Sequence, residues 1–125
     1  MFLSAFERQI YAAFRIVFGL LFLFHGSQKL LGYPELTREL PAFIKYVAGP
    51  IELFGGLMIV VGFKAGWAGF ICSGLMAAAY WMAHGLKALL PMQNGGELAV
   101  LYCFAFLLIA AKGSGIWSVD DALGG

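Results

Sequence analysis

The sequence is poor in charged residues, and this shortage indicates its class. Charged residues make up only 12% of the chain and hydrophobic residues 62%, whereas about a quarter of a soluble domain is charged. The net charge is only +1, which argues against a nucleic-acid partner. There are two cysteines and no C-x-x-C motif, which disfavours a thiol–disulfide oxidoreductase. The composition therefore indicates a membrane protein that does not bind nucleic acid.

The hydrophobic residues fall into four long runs, separated by segments that contain glycine, proline and charge. A helix that crosses the hydrocarbon needs roughly 17 to 25 residues, and none of the runs alternates in polarity as a barrel strand would. We therefore predict an all-α membrane protein, an antiparallel four-transmembrane-helix bundle, with residues 1–125 as one domain. The predicted helices cover residues 11–31, 47–63, 66–86 and 96–112.

The first run contains Arg15, lacks a small-residue cleavage site and is followed by three more runs. It is therefore predicted to be a retained membrane helix and not a signal peptide.

Four antiparallel helices place both termini on one side, here the terminal side, and the 1–2 and 3–4 loops on the other, the loop side. The two sides have equal numbers of flanking basic residues. The terminal side has Arg8, Lys64 and Lys112, and the loop side has Arg38, Lys45 and Lys87. Because this balance does not decide orientation, cytoplasmic termini are only a working expectation.

Each predicted helix carries an ionisable residue near its loop-side end. His25 and Lys29 lie near the end of the first helix, Glu52 near the start of the second, His84 near the end of the third and Glu97 at the start of the fourth. Charged residues inside spans are costly when they face lipid, and they usually face a partner or a cavity. These residues are therefore predicted to form one polar cluster.

The positions around each helix support the same cluster. At about 100° per residue, Arg15, Phe22, His25 and Lys29 share one face of the first helix, and Tyr80 and His84 share one face of the third. Phe22 lies one turn deeper than His25, as Tyr80 does relative to His84. An apolar wall with a few polar groups is typical of a small-molecule site, so these two aromatic residues are predicted to flank a flat ring.

Each of these residues also has a purely structural interpretation. Lys29 and Glu97 could extend into the headgroup region, and Glu97 could be a helix-start acid favoured by the helix dipole. Arg15 could anchor the terminal side, and His84 could mark a helix end before Gly85. Two histidines at one depth would permit a metal or haem, but the positive charge of Lys29 opposes a cation, so no metal site is predicted.

The ordered motifs of the chain resemble those of the DoxX family of small four-helix membrane proteins. The resemblance rests on Arg15, "FLFHGSQKLLG", "GPIELFGGLMIVVG", His84, "NGGELAVLY" and "GSGIWSVDDAL", which together cover nearly the whole chain. It implies a redox association, such as a subunit of a thiosulfate:quinone oxidoreductase, quinone or catechol detoxification, or an oxidative-stress complex. The matching positions are Arg15, His25, Gly26, Lys29, Glu52, Gly56, His84, Asn94, Glu97 and Asp120.

Two classes of function follow, and whether the chain is itself an enzyme stays open. In the first, it is the membrane subunit of a redox or quinone-linked system in the cell membrane, in bacteria the inner membrane. The catalytic proton carriers would then be His25, Glu52 and His84, and the substrate-binding residues Arg15, Phe22, Lys29, Tyr80 and Glu97. The sequence shows no cofactor beyond a quinone that it would bind, and a redox partner subunit and a homo-oligomer are candidate partners. In the second class, the chain is a scaffold or small transporter, and its buried charges are structural.

Overall fold

A computed structural model describes residues 1–35 and 40–124 of the chain, and Arg38 lies outside them. The described residues form helices and turns without β-strands, and four substantial helices pack as a bundle. A 3₁₀ turn, Phe2–Phe6, leads into the first helix, and a π-helical segment, Ile44–Ala48, leads into the second. In chain order the α-helices are α1 Glu7–Leu31, α2 Gly49–Val61, α3 Ala65–Ala83, the short α4 Pro91–Asn94, α5 Glu97–Lys112 and the short α6 Val119–Ala122.

Two helix ends differ from the sequence prediction by more than two residues. The first helix begins at Glu7 and not at residue 11, because it continues directly from the preceding 3₁₀ turn. The third helix ends at Ala83 and not at residue 86, because the carbonyl oxygen of Tyr80 accepts hydrogen bonds from both the His84 and the Gly85 backbone N–H groups. A shared carbonyl of this kind is typical of a helix C-terminus, and it places His84 just beyond α3.

The turn between α2 and α3 depends on Gly62. This residue has a φ of 73°, a left-handed conformation that glycine adopts without steric cost. A Cβ atom there would lie only 2.2 Å from the Ser118 Cβ atom. Gly62 therefore lets the C-terminal segment pack directly on the end of α2.

Glycines allow the helices to approach closely in antiparallel pairs. A Cβ atom on Gly26 of α1 would lie 2.2 Å from the Leu53 backbone nitrogen of α2, and one on Gly56 would lie 2.7 Å from the Leu23 backbone nitrogen. Between α3 and α5, a Cβ atom on Gly69 would lie 2.8 Å from the Phe106 carbonyl oxygen. Small residues at such crossings are typical of helix packing in membranes, where close van der Waals contact drives association.

Aromatic side chains fill the space between α1 and α5. Phe22 and Phe106 are buried, with ring centroids 4.6 Å apart. The Tyr102 ring stacks on Phe106 at 5.5 Å and lies 5.3 Å from Phe22. Aromatic pairs at these separations add packing energy beyond the area that they bury. The core is therefore centred on α1, α5 and the buried side chains that α2 and α3 direct toward them.

Two helical stretches are long and apolar enough to cross a membrane, Phe2–Leu31 and Ile44–Val61. The fourth long helix, α5, has only 16 residues, and glycine, serine, tryptophan and tyrosine lower the mean hydropathy of α3. All four long helices nevertheless present large apolar side chains outward. At least half of the side-chain surface is exposed at Leu21 on α1, Phe54 on α2, Phe70 on α3 and Phe104 on α5.

We expect Gly26→Ala to destabilise the protein by about 1–3 kcal/mol, because the added methyl group would meet backbone atoms of Leu53 and Glu52. The matched control is Gly74→Ala on α3, where a Cβ atom would have no neighbour within 4 Å. The control should be neutral or slightly stabilising, since alanine favours helix. Thermal melts in detergent would measure the stability of both variants. Equal melting temperatures for Gly26→Ala and Gly74→Ala would contradict the close α1–α2 packing.

Candidate functional site

A buried ion pair joins α1 and α2 at their loop-side ends. The Lys29 Nζ atom lies 2.8 Å from Glu52 Oε1 and donates a hydrogen bond to it. Glu52 is only 2% exposed, and the Lys29 side chain is 17% exposed. Burying a carboxylate is costly unless it is paired, and Lys29 is the partner that the structure provides for Glu52.

Local sequence explains how these two side chains meet. Glu52 lies near the start of α2, three residues after Gly49. A Cβ atom on Gly49 would lie 3.3 Å from the Lys29 Cβ atom. The start of α2 is therefore close enough to the end of α1 for Lys29 to reach across.

His25 lies beside the ion pair on the aromatic side of α1. Its half-buried ring packs edge-on against Tyr102, with the ring centroids 5.8 Å apart and the planes at 86°. Phe22, one turn deeper, contacts the same tyrosine. The structure thus brings His25, Lys29, Glu52 and Phe22 to one region, which we call the α1–α2 polar site, with Tyr102 on its α5 side.

Tyr102 was not among the residues selected from the sequence. It is 4% exposed and contacts Phe18, Phe22, His25 and Phe106. The available signal was a phenol within an apolar run, since a buried tyrosine usually places its hydroxyl group near a polar partner. That signal does not indicate which helix the ring faces.

Tyr80 and His84 belong to a separate group around the buried Asn94. The Asn94 amide nitrogen donates to the Tyr80 hydroxyl at 2.9 Å and to the Ala88 carbonyl at 3.3 Å. The His84 Nδ1 atom lies 3.2 Å from the Asn94 carbonyl oxygen. The Asn94 side-chain oxygen accepts from the Gly96 backbone N–H at 2.8 Å. This group orders the connection between α3 and α5.

The offset between α2 and α3 keeps the two groups apart. A Cβ atom on Gly55 of α2 would lie 2.6 Å from the Cys72 Sγ atom of α3, so these residues are at one level. Glu52 is about 4.5 Å from Gly55 along its helix, whereas Ala83 is about 17 Å from Cys72 at 1.5 Å per residue. His84, just after Ala83, therefore lies roughly 12 Å further toward the loop side than Glu52.

Arg15 and Glu97 lie outside both groups. Glu97 is exposed in the first turn of α5, where the helix dipole favours an acid. Arg15 is fully buried near the terminal side, about 21 Å from Lys29 along α1. Its guanidinium group donates to four backbone carbonyl oxygens, those of Ile59, Ser114, Ile116 and Trp117. These bonds tie the C-terminal segment to α1 and α2.

Asp120 completes this terminal-side network. Its Oδ2 atom accepts hydrogen bonds from the Lys64 backbone N–H at 2.8 Å and from the Ser114 hydroxyl at 2.7 Å. The "G-x-G-x-W-S-x-D" block of the sequence therefore forms a strap across the ends of α2 and α3.

Neither histidine belongs to a cluster that would bind a metal ion. Within residues 1–35 and 40–124, no group of three or more His, Cys, Asp or Glu side chains is placed to hold one. Cys72 and Cys103 are free thiols, and the Ser73 hydroxyl donates to the Cys103 carbonyl oxygen at 2.8 Å.

The chain is similar in sequence to three bacterial proteins. The chain is 36% identical over 122 residues to an uncharacterized protein of Haemophilus influenzae, with 91% of each chain covered. It is 27% identical to the Bacillus subtilis protein named "Putative oxidoreductase CatD", over 85% of this chain and 81% of that protein. It is also 27% identical to the Escherichia coli inner membrane protein YqjF, over 87% and 88% of the two chains.

No solved structure matches the chain. The DoxX family model matches residues 10–85, which include most of α1, all of α2 and α3, and the Lys29–Glu52 pair. The extent of this match, together with the similarity to the Haemophilus protein along almost the whole chain, shows that this membrane protein belongs to the DoxX family.

Proposed function

We propose that the chain is the membrane subunit of a quinone-linked redox system and that the α1–α2 polar site binds a quinone or a similar small lipophilic molecule. The observation that carries the proposal is the Lys29–Glu52 ion pair, 2.8 Å long and enclosed between two apolar helices. Ionisable groups within membrane helices are expensive and commonly mark proton relays or substrate pathways.

The side chains of the site suit the chemistry of a quinone. Reduction of a quinone to a quinol consumes two electrons and two protons, one proton at each ring oxygen. The Lys29 ammonium and the His25 imidazole can donate hydrogen bonds to a ring oxygen. A proton that Lys29 gives to the reduced ring would be replaced by one that the Glu52 carboxylate takes up from water and passes to Lys29 through their hydrogen bond. The Phe22 and Tyr102 rings supply an apolar wall of the kind that small-molecule sites use.

The two electrons would come from a partner redox protein, because the sequence has neither a dinucleotide-binding nor a C-x-x-C motif. The name of the Bacillus subtilis relative, "Putative oxidoreductase CatD", supports an oxidoreductase association. We further propose that α3 and α5 cross the membrane together with α1 and α2, since their outward apolar side chains resemble those of the other two helices. The inner membrane is the proposed location, with the termini in the cytoplasm.

The test is whether the purified full-length chain binds a quinone. Lipid extraction followed by mass spectrometry should yield a quinone in near-stoichiometric amount, and ubiquinone-1, a short-tailed probe, should bind saturably by equilibrium dialysis. His25→Leu should weaken this binding by about tenfold, the loss of one good hydrogen bond. Gln93→Ala, an exposed change in α4, is the control. Absence of both a resident quinone and saturable binding would contradict the proposal.

A specific observation also favours the alternative of a non-catalytic scaffold or small transporter. Lys29 and Glu52 satisfy each other directly, as the members of a purely structural pair would. In that case the pair would specify how α1 packs on α2, and its removal would change stability without removing a redox activity. Stability and activity measured on the same variants therefore separate the two functions.

A further inference from the structure

A cavity opens at the terminal end of the bundle, at the opposite end from the α1–α2 polar site. Its volume is about 750 Å³, and its walls come from α1, α3, α5 and the C-terminal strap. We call it the terminal-end cavity. Its lining includes six charged residues: Glu7, Arg8, Lys64, Lys112, Asp120 and Asp121.

The charges of the terminal-end cavity are of both signs. Asp120 is occupied by its hydrogen bonds from the Lys64 backbone and Ser114, whereas Glu7 and Asp121 are exposed. Arg8, Lys64 and Lys112 are exposed as well, and the one ion pair among these groups, Lys112 to Glu7, is long at 3.5 Å. A zwitterion with one anionic and one cationic group complements such a lining, while a purely anionic ligand would meet the carboxylates.

An apolar groove continues from this cavity along the outer surface of α3 and α5. It has a volume of about 320 Å³, lies between α3 and α5, and is lined by Gly66, Trp67, Phe70 and Ala110. Gly66 and Trp67 also line the terminal-end cavity, so the two spaces adjoin. Phe70 lies one turn, about 6 Å, further along α3 than Gly66. Trp67 is 71% exposed, as is common for tryptophan at the membrane–water interface.

We propose that the terminal-end cavity and its groove bind one glycerophospholipid that carries a phosphoethanolamine headgroup. The phosphate would lie among Arg8, Lys64 and Lys112, the ammonium group beside Glu7 and Asp121, and one acyl chain along Gly66, Trp67 and Phe70. A cavity with charged groups in its lining that opens onto an apolar groove matches an amphiphile in shape and polarity. The site lies apart from the proposed quinone site and does not depend on it.

Two glycines of α3 provide a matched test. A Cβ atom on Gly66 would be in ordinary contact, 3.5 Å from the Ala110 carbonyl oxygen, so Gly66→Leu can keep the helix while its side chain fills the groove. Gly74 lies on the same helix with nothing within 4 Å of its Cβ position, so Gly74→Leu is the control. Native mass spectrometry of the full chain with dioleoyl phosphatidylethanolamine should show binding weakened about tenfold by Gly66→Leu and unchanged by Gly74→Leu.

The headgroup is tested with phosphatidylglycerol and phosphatidylcholine that carry the same acyl chains. The wild-type chain should prefer phosphatidylethanolamine over phosphatidylglycerol, and Glu7→Gln/Asp121→Asn should reduce that preference about threefold, the scale of one exposed ion pair. Both replaced side chains are exposed, so this variant serves even if Gly66→Leu does not fold. Equal binding of the three lipids by the wild-type chain, or phosphatidylethanolamine binding that neither variant changes, would overturn the proposal.

Discussion

Replacing Arg15 with methionine is expected to destabilise the protein by at least about 3 kcal/mol and to release the C-terminal strap. The fully buried guanidinium group donates to carbonyl oxygens of Ile59, Ser114, Ile116 and Trp117. Each hydrogen bond to a charged group contributes about 1.5–3 kcal/mol, and its removal leaves buried carbonyl groups without a partner. Arg15→Lys should recover only part of the loss, because an ammonium group cannot reproduce the planar fork of donors.

Thermal melts in detergent would measure the loss, with Arg8→Met as the control because Arg8 is exposed on the same helix. Release of the strap is a separate readout. A cysteine placed at Ser118 in a background without Cys72 and Cys103 should react with a water-soluble maleimide faster in the Arg15→Met chain than in the wild-type chain. If Arg15→Met melted like Arg8→Met, the strap would not depend on the buried guanidinium group.

Lys29→Met is expected to cost about 3–5 kcal/mol, because it leaves the Glu52 carboxylate buried without its partner. The double variant Lys29→Met/Glu52→Leu should recover most of this stability. Replacing a buried ion pair with apolar side chains of similar size is often neutral or stabilising. The two residues are in direct contact, so their effects should be strongly non-additive.

The comparison of the single and double variants of Lys29 and Glu52 also separates the two proposed functions. If the pair carries protons for a quinone, the double variant should be as stable as the wild-type chain and have lost its redox activity. If the pair is only structural, the double variant should regain both stability and function. Additive single effects in thermal melts of the two single variants and the double variant would contradict the direct Lys29–Glu52 contact itself.

The four long helices could be predicted from the sequence because each corresponds to one long, predominantly hydrophobic run. The ends of these helices were harder to predict, because a helix end depends on hydrogen bonds that hydropathy does not record. The end of α3 at Ala83 depends on the Tyr80 carbonyl, which serves two N–H groups. The early start of α1 depends on the 3₁₀ turn at Phe2–Phe6.

The candidate site could be predicted only in part for a related reason. Glu52 had to be paired or protonated because burial of an isolated carboxylate is so unfavourable, and the structure provides Lys29 as a partner. Whether His84 lies at the same level as Glu52 depends on the offset between α2 and α3. That offset is determined by the contact of Gly55 with Cys72, and hydropathy does not reveal it. The partners of Arg15 are backbone carbonyl groups of the strap, and a backbone carbonyl group has no sequence signature.

The most direct test of the central claim is the redox activity of Glu52→Gln. Glutamine preserves the size of the side chain and a hydrogen bond to Lys29 but cannot carry a proton. Menadione reduction would be measured in membranes that contain the chain with its native partners, alongside a thermal melt of the purified variant. We predict a folded protein whose turnover is reduced about 100-fold or more, the scale of one acid–base group. A folded Glu52→Gln chain with full turnover would contradict a proton-relay role for the Lys29–Glu52 pair.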